Sequence, residues 1–100
     1  MKLSEICQKS DIICPENLKD IEVKGITSNS QKVRDGYVFV CLDGTKTDGH
    51  RYINDALLHG AVAVIIEKQN FSIERSILVG NTRAALAKIM NIFCGPIPIN

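Results

Sequence analysis

Two short polar stretches carry the side chains best suited to chemistry in this sequence. Ser28-Asn29-Ser30-Gln31-Lys32 and Asp43-Gly44-Thr45-Lys46-Thr47 flank the apolar run Tyr37 to Leu42. Ser28, Ser30, Thr45 and Thr47 offer hydroxyls that both donate and accept hydrogen bonds, and Lys46 offers a mobile cation. That combination suits a nucleobase edge, a ribose or a diphosphate. The residues alone leave a second reading open, in which these are ordinary solvated turns, a common fate of polar loop residues.

Catalytic machinery is not legible. Asp43 and Asp48 flank the second stretch, but each also suits a turn or helix-cap position, so no acid–base role is assigned. His50 falls in a first helical turn, where a cation opposes the helix dipole, and it is expected neutral and reaching back to the loop. His59 falls in a last turn and reads as a helix-end residue. The sequence holds no Gly-x-x-x-x-Gly-Lys-[Ser/Thr] phosphate loop, Gly-x-Ser-x-Gly elbow, His-Glu-x-x-His pair or Gly-x-Gly-x-x-Gly turn. Cys7, Cys14, Cys41 and Cys94 form no Cys-x-x-Cys pair, and the histidines add no zinc spacing, so no metal site is predicted. All four read as reduced, structural thiols.

The elements that must position these stretches alternate in type. Leu3, Ile6 and Cys7 recur at helical spacing over residues 3–10, with Ser4 as the cap. Ile21 to Thr27 alternates apolar and polar residues like a half-buried strand, with a bulge at Gly25. Arg34-Asp35-Gly36 is a turn signal, and Tyr37 to Leu42 is apolar on both alternating faces, as in a strand covered on both sides at the centre of a sheet. Asp48 caps a helix with Ile53, Ala56 and Leu57 on one face, and Gly60 ends it. Ala61 to Ile66 is a second buried strand, so residues 37–66 form a βαβ unit. Ser76 to Val79 is a last strand. Asn81 or Thr82 then caps a helix carrying Ala85, Leu86, Ile89, Met90 and Phe93, stopped by Gly95-Pro96. The fold class is α/β: one small domain with a mostly parallel or mixed sheet of about four to five strands and helices packed on it.

Bulk properties agree with a globular module. The chain has 100 residues, 45% of them hydrophobic and 23% charged, with a formal charge of +1. A domain this size buries roughly two thirds of its unfolded surface, enough for one core with little room for a deep cleft. The charges are scattered, so neither a nucleic acid nor a membrane is an expected partner. The N-terminus turns polar too early for a secretory signal, Ala61 to Ile66 is too short to span a bilayer, and a cytoplasmic location is expected.

Residues 26–44, then Thr47-Asp48-Gly49-His50-Arg51-Tyr52-Ile53 and Ala56 to Ala63, resemble the N-terminal domain of the Mur ligases, and the resemblance extends over essentially the whole chain. It is strongest toward the branch that adds the third amino acid, diaminopimelate or lysine, to a peptidoglycan precursor, with the tripeptide-to-pentapeptide branch a near relative. The resemblance implies that residues 1–95 hold the uridine-nucleotide end of UDP-N-acetylmuramoyl-L-alanyl-D-glutamate. It also implies that residues 96–100 link to an ATP-binding domain absent from this chain, that ATP and Mg act there, and that no cofactor sits here. The family's Asp-Ser-Arg motif matches Asn29-Ser30-Gln31, which puts Ser30 at its substrate-contacting serine with Ser28 two residues before it. The loop that meets the nucleotide matches Thr45-Lys46-Thr47. Asn29 and Gln31 replace charged family residues, so any ion pair made there is absent. A reading of another class stands beside it: a non-catalytic protein-interaction module whose loops are plain turns.

Overall fold

The computed structural model describes residues 1–42, 48–71 and 73–94. Four strands, β1 (Gly25–Thr27), β2 (Tyr37–Val40), β3 (Ala63–Ile66) and β4 (Ser76–Leu78), form one sheet in the order β1-β2-β3-β4, and every neighbouring pair is parallel. Helices α1 (Leu3–Lys9), α2 (Ile53–Leu58) and α3 (Thr82–Cys94) pack on it. The expected α/β class holds, with the sheet wholly parallel among the described residues.

The two-sided apolar pattern of the central strands has a direct cause. Successive side chains of a strand point to opposite faces. Val38, Val40, Ala63, Ile65 and Ile77 join a core with Leu3, Ile6 and Cys7 of α1 and Ala85 and Ile89 of α3. Phe39, Cys41, Val64 and Ile66 face the other way, into a second core with Val33 and with Ile53 and Ala56 of α2. A single Val, Ile or Phe buried this way is worth about 1.5–3 kcal/mol, so a polar residue at either face of β2 or β3 would be strongly selected against.

Several local expectations are corrected. Ser4 does not cap α1: Lys2 stands at the N-cap and makes no side-chain cap bond. The strand expected from residue 21 begins only at Gly25, because Ile21 to Val23 pair with the N-terminus instead. Leu3 N–H donates to the Ile21 carbonyl at 2.9 Å, Val23 N–H to the Met1 carbonyl at 2.9 Å, and Lys2 bridges Glu22 in antiparallel sense. Gly25 is not a bulge, since Gly25, Ile26 and Thr27 pair one-to-one with Tyr37, Val38 and Phe39. The Tyr37 ring occupies the place a Cβ at Gly25 would take, 2.5 Å away. Of the two candidate caps for α3, Asn81 serves, its Oδ1 accepting from Ala84 N–H at 3.1 Å, while Thr82 is buried and bonded elsewhere. Gly95-Pro96 and the expected linker lie outside the described residues.

Gly36 (φ +86°) and Gly60 (φ +111°) both occupy the left-handed region that other residues avoid. They meet: Gly36 N–H donates to the Gly60 carbonyl at 3.1 Å, and a Cβ on Gly60 would lie 2.2 Å from Asp35 Oδ1. The turn that launches β2 and the end of α2 are thereby locked together. With all strands parallel, their carboxyl ends gather at one end of the sheet, where ligands of α/β proteins collect. Among the described residues no helix is long and apolar enough to cross a membrane.

Candidate functional site

The connection from β1 to β2 opens with side chains that shape the backbone. Asn29 N–H donates to Thr27 Oγ1 at 3.1 Å, and Asn29 Oδ1 accepts from Gln31 N–H at 3.0 Å, capping a 3-10 turn over Ser30–Lys32. An amide oxygen does this as an aspartate would, so the uncharged Asn29 preserves the turn. Ser28 is exposed and Ser30 half-buried. Among the described residues neither hydroxyl is committed to a hydrogen bond.

Beyond β2 the chain returns at once to the same place. Gly49 N–H donates to the Leu42 carbonyl at 2.7 Å, which joins the residues on either side of the second polar stretch. A Cβ at Gly49 would lie 2.7 Å from Leu42 N and 2.9 Å from its carbonyl oxygen, so only glycine fits. Thr45, Lys46 and Thr47 lie outside the described residues.

A cleft of about 430 Å³ results, lined by Ser28, Asn29, Ser30, Gln31, Leu42, Gly49 and Tyr52. Its volume falls within the range of about 300–1,000 Å³ usual for small-molecule sites. The structure thus brings Ser28 and Ser30 together with the residues that bracket the second stretch. Tyr52, 39% exposed, adds an aromatic wall that sequence reasoning did not single out. Its only sequence signal is an aromatic residue one helical turn past Asp48. The cleft can stack a planar ring on Tyr52 and meet polar edges with the serine hydroxyls and the amides of Asn29 and Gln31.

A polar cluster backs this cleft. Asp48 caps the 3-10 turn Gly49–Tyr52, which runs into α2, and its Oδ1 accepts from His50 N–H at 3.0 Å. The His50 ring is buried against Phe71, centroids 5.1 Å apart. Its Nε2 accepts from Glu67 N–H at 3.1 Å, which leaves the proton on Nδ1 to be donated to Asp48 Oδ1 at 2.6 Å. His50 therefore carries the neutral tautomer and reaches back to Asp48. Lys68 Nζ donates to Asp48 Oδ2. Burial alone pushes the Asp48 carboxyl upward, but the bonds from Lys68, His50 N–H and the His50 ring outweigh it and hold the group well below the usual carboxylate range. Glu67 Oε1 accepts from the Thr82 hydroxyl and from Thr82 N–H, the latter at 3.1 Å, and these bonds lower its pKa against the opposing effect of burial. That carboxylate also sits at the positive end of α3.

Glu67, Lys68 and Thr82 were not legible as partners of this cluster. The one signal was position, since Glu67 and Lys68 directly follow a buried strand at its carboxyl end. His59 is a helix-end residue, as expected, its Nδ1 donating to the Asp55 carbonyl at 2.6 Å. Cys7 and Cys41 are buried, and Cys14 is half-buried. Burial, with the Cys14 thiol as a bonded neighbour, pushes the Cys7 thiol up to about 12. Burial with the Asp48 charge does the same to Cys41, also to about 12.

Comparison with known proteins gives consistent matches. Residues 22–93 match the family model described as Mur ligase family, catalytic domain. The UDP-N-acetylmuramoyl-L-alanyl-D-glutamate–2,6-diaminopimelate ligase 2 of Clostridium acetobutylicum is 41% identical over 96 residues, covering 93% of this chain and 20% of that protein. The corresponding ligase of Aquifex aeolicus is 45% identical over 73 residues, covering 73% of this chain and 15% of its own length. The chain thus spans about a fifth or less of the curated relatives it matches. The MurF ligase of Thermotoga maritima, solved in complex with ADP, superposes with a TM-score of 0.63 at 38% identity over 74% of this chain and 17% of that one. A MurF from Acinetobacter baumannii shares the fold at a TM-score of 0.70, with 22% identity over 88% of this chain and 20% of its own.

Proposed function

The chain belongs to the Mur ligase family, and from that premise we propose that it grips the uridine diphosphate end of a UDP-muramoyl-peptide substrate in an ATP-dependent amide ligase. One observation carries this reading: the connections leaving β1 and β2 converge on a single cleft with an aromatic wall and two serine hydroxyls that are uncommitted among the described residues. Ser28 and Ser30 contact the nucleotide end, and Thr45, Lys46 and Thr47, outside the described residues, complete the grip from the second stretch. Residues 1–95 form the substrate-binding domain and residues 96–100 the link to the rest of the ligase. The substrate is UDP-N-acetylmuramoyl-L-alanyl-D-glutamate, the molecule that the matching relatives' names specify.

This chain's part in the reaction is to bind and orient. Gripping a remote, non-reacting part of the substrate supplies binding energy that aligns the reacting carboxylate elsewhere. The sequence has no phosphate loop, so ATP and Mg are assigned to the remainder of the ligase.

The similarity to a MurF ligase favours a second reading, in which the substrate already carries the third amino acid. The nucleotide end is common to both, so the branches are separated by turnover of the full-length ligase on the muramoyl dipeptide against the tripeptide, and not by binding to this chain. The grip itself is tested by Ser30→Ala in a calorimetric titration with uridine diphosphate. The expected loss is about 0.5–1.5 kcal/mol for a neutral partner, or about 1.5–3 kcal/mol for a charged phosphate oxygen. Unchanged affinity would remove Ser30 from the site.

A further inference from the structure

The cleft wall that carries Gly49 and Tyr52 is held in place by groups that do not line the cleft. Asp48 caps the Gly49–Tyr52 turn and binds both the His50 ring and Lys68, twenty residues farther along the chain at the end of β3. His50 is tied in turn to the backbone of Glu67, whose carboxylate is bonded to the start of α3. On the other side, Gly49 is bonded to Leu42 at the end of β2. The short turn is thus fixed to the ends of two adjacent parallel strands. The geometry points to Asp48, His50 and Lys68 as positioning residues that preform the nucleotide cleft by clasping the Gly49–Tyr52 wall to the ends of β2 and β3.

This inference rests on the nucleotide-grip reading and goes beyond it by assigning affinity to residues outside the cleft lining. Its physical basis is preorganisation. A wall already ordered before the ligand arrives loses less conformational freedom on binding. The position is well chosen, because Tyr52 enters the cleft one turn beyond the cap, so a small rotation at Asp48 displaces the ring. The Asp48–Lys68 pair is only partly shielded, with side-chain exposures of 20% and 37%. The Lys68 bond alone therefore adds little to overall stability beyond what the His50 bonds to Asp48 supply, while its effect on the cleft is direct.

The rival is that Lys68 is a simple phosphate contact, and a double-mutant cycle separates the two because they predict opposite signs for one variant. Uridine diphosphate is titrated into the wild-type chain, Asp48→Asn, Lys68→Met, the double variant and Lys68→Arg, all well below their melting temperatures. Positioning predicts that Asp48→Asn and Lys68→Met each weaken binding by roughly three- to tenfold. The double variant should be no worse than the weaker single, since both remove one coupled interaction, and Lys68→Arg should restore most of the affinity. If Lys68 instead touches phosphate, releasing it from Asp48 leaves affinity unchanged or raised in Asp48→Asn, and the inference falls. It also falls if the variants melt earlier but bind as well as wild type, or if the losses simply add.

Hydrogen exchange at the Gly49 amide of the ligand-free chain tests the clasp without any ligand. Exchange about tenfold faster in Lys68→Met is expected from a loosened local opening equilibrium, and an unchanged rate overturns the clasp. A wild-type chain that binds no uridine nucleotide defeats the proposed function, whatever the exchange result. A wild-type chain that binds while the variants match it defeats only the positioning role.

Discussion

Replacing Gly49 with Ala probes the joint on which the candidate cleft turns. The added Cβ would stand 2.7 Å from Leu42 N and 2.9 Å from Leu42 O, both backbone atoms that a rotamer change cannot move aside. Relief requires the two segments to separate, which lengthens or breaks the 2.7 Å bond from Gly49 N–H to the Leu42 carbonyl. Losing that bond costs about 0.5–1.5 kcal/mol, and the forced backbone shift about 1–3 kcal/mol, as for overpacked sites. Ala offsets about 0.4–1 kcal/mol of this by stiffening the unfolded chain. These terms span a loss of about 0.5–4 kcal/mol and centre on about 2–3 kcal/mol, a large share of the roughly 5–15 kcal/mol that such a domain has. At about 4–8 °C per kcal/mol for a domain of this size, the melting temperature should fall by roughly 8–24 °C.

The assay is thermal unfolding followed by far-ultraviolet circular dichroism, paired with nucleotide titration at low temperature. Gly80→Ala is the internal control, because a Cβ there meets nothing within 4 Å and the change should stay within about 0.5 kcal/mol of wild type. Affinity should fall in Gly49→Ala as well, since Gly49 lines the cleft. A Gly49→Ala chain that melts and binds like Gly80→Ala would refute the view that the two strand-end segments are pinned together at this glycine.

Two further outcomes follow from the ionisable groups. Asp48 and Glu67 are both held below their usual pKa by bonds made only in the fold. The unfolded state therefore binds protons first as pH falls. Their stabilisation is fully present above the unfolded values of about 4 and is lost as pH drops through the lower folded values. Asp48→Asn should accordingly be less stable than wild type at neutral pH, and urea midpoints of the two chains should converge at strongly acidic pH; a constant gap would contradict the assignment. Burial that raises the Cys7 and Cys41 thiols to about 12 should make both unreactive toward a disulfide reagent at pH 8 in the folded chain. Half-buried Cys14 should react faster than either, as peptide mapping of the labelled chain would show. Equal labelling of all three would place these cores in water.

Much of this fold follows from the sequence, because its strongest signals are local. Tyr37 to Leu42 and Ala61 to Ile66 are short apolar runs with β-branched residues, each preceded by a glycine, the pattern of a strand buried on both faces. The period of Ala85, Leu86, Ile89 and Phe93 set one helix face, and the glycines at 36 and 60 stand where the backbone turns left-handed. The ordered block from Ile26 to Ala63 carries the family resemblance in its residues alone. Tertiary structure decided the partnerships. Ile21 to Val23 had the alternation of a sheet strand but paired with Met1 to Leu3, because alternation reports a half-buried extended segment and not its neighbour. Tyr52 gave no sign that it would wall the cleft. Nor did Asp48 reveal Lys68 and the His50 ring as partners, or Glu67 reveal Thr82. Apolar periodicity records which face of an element is buried. Which polar side chains meet at the strand ends depends on the order of the strands in the sheet, and that order is fixed only when both cores close.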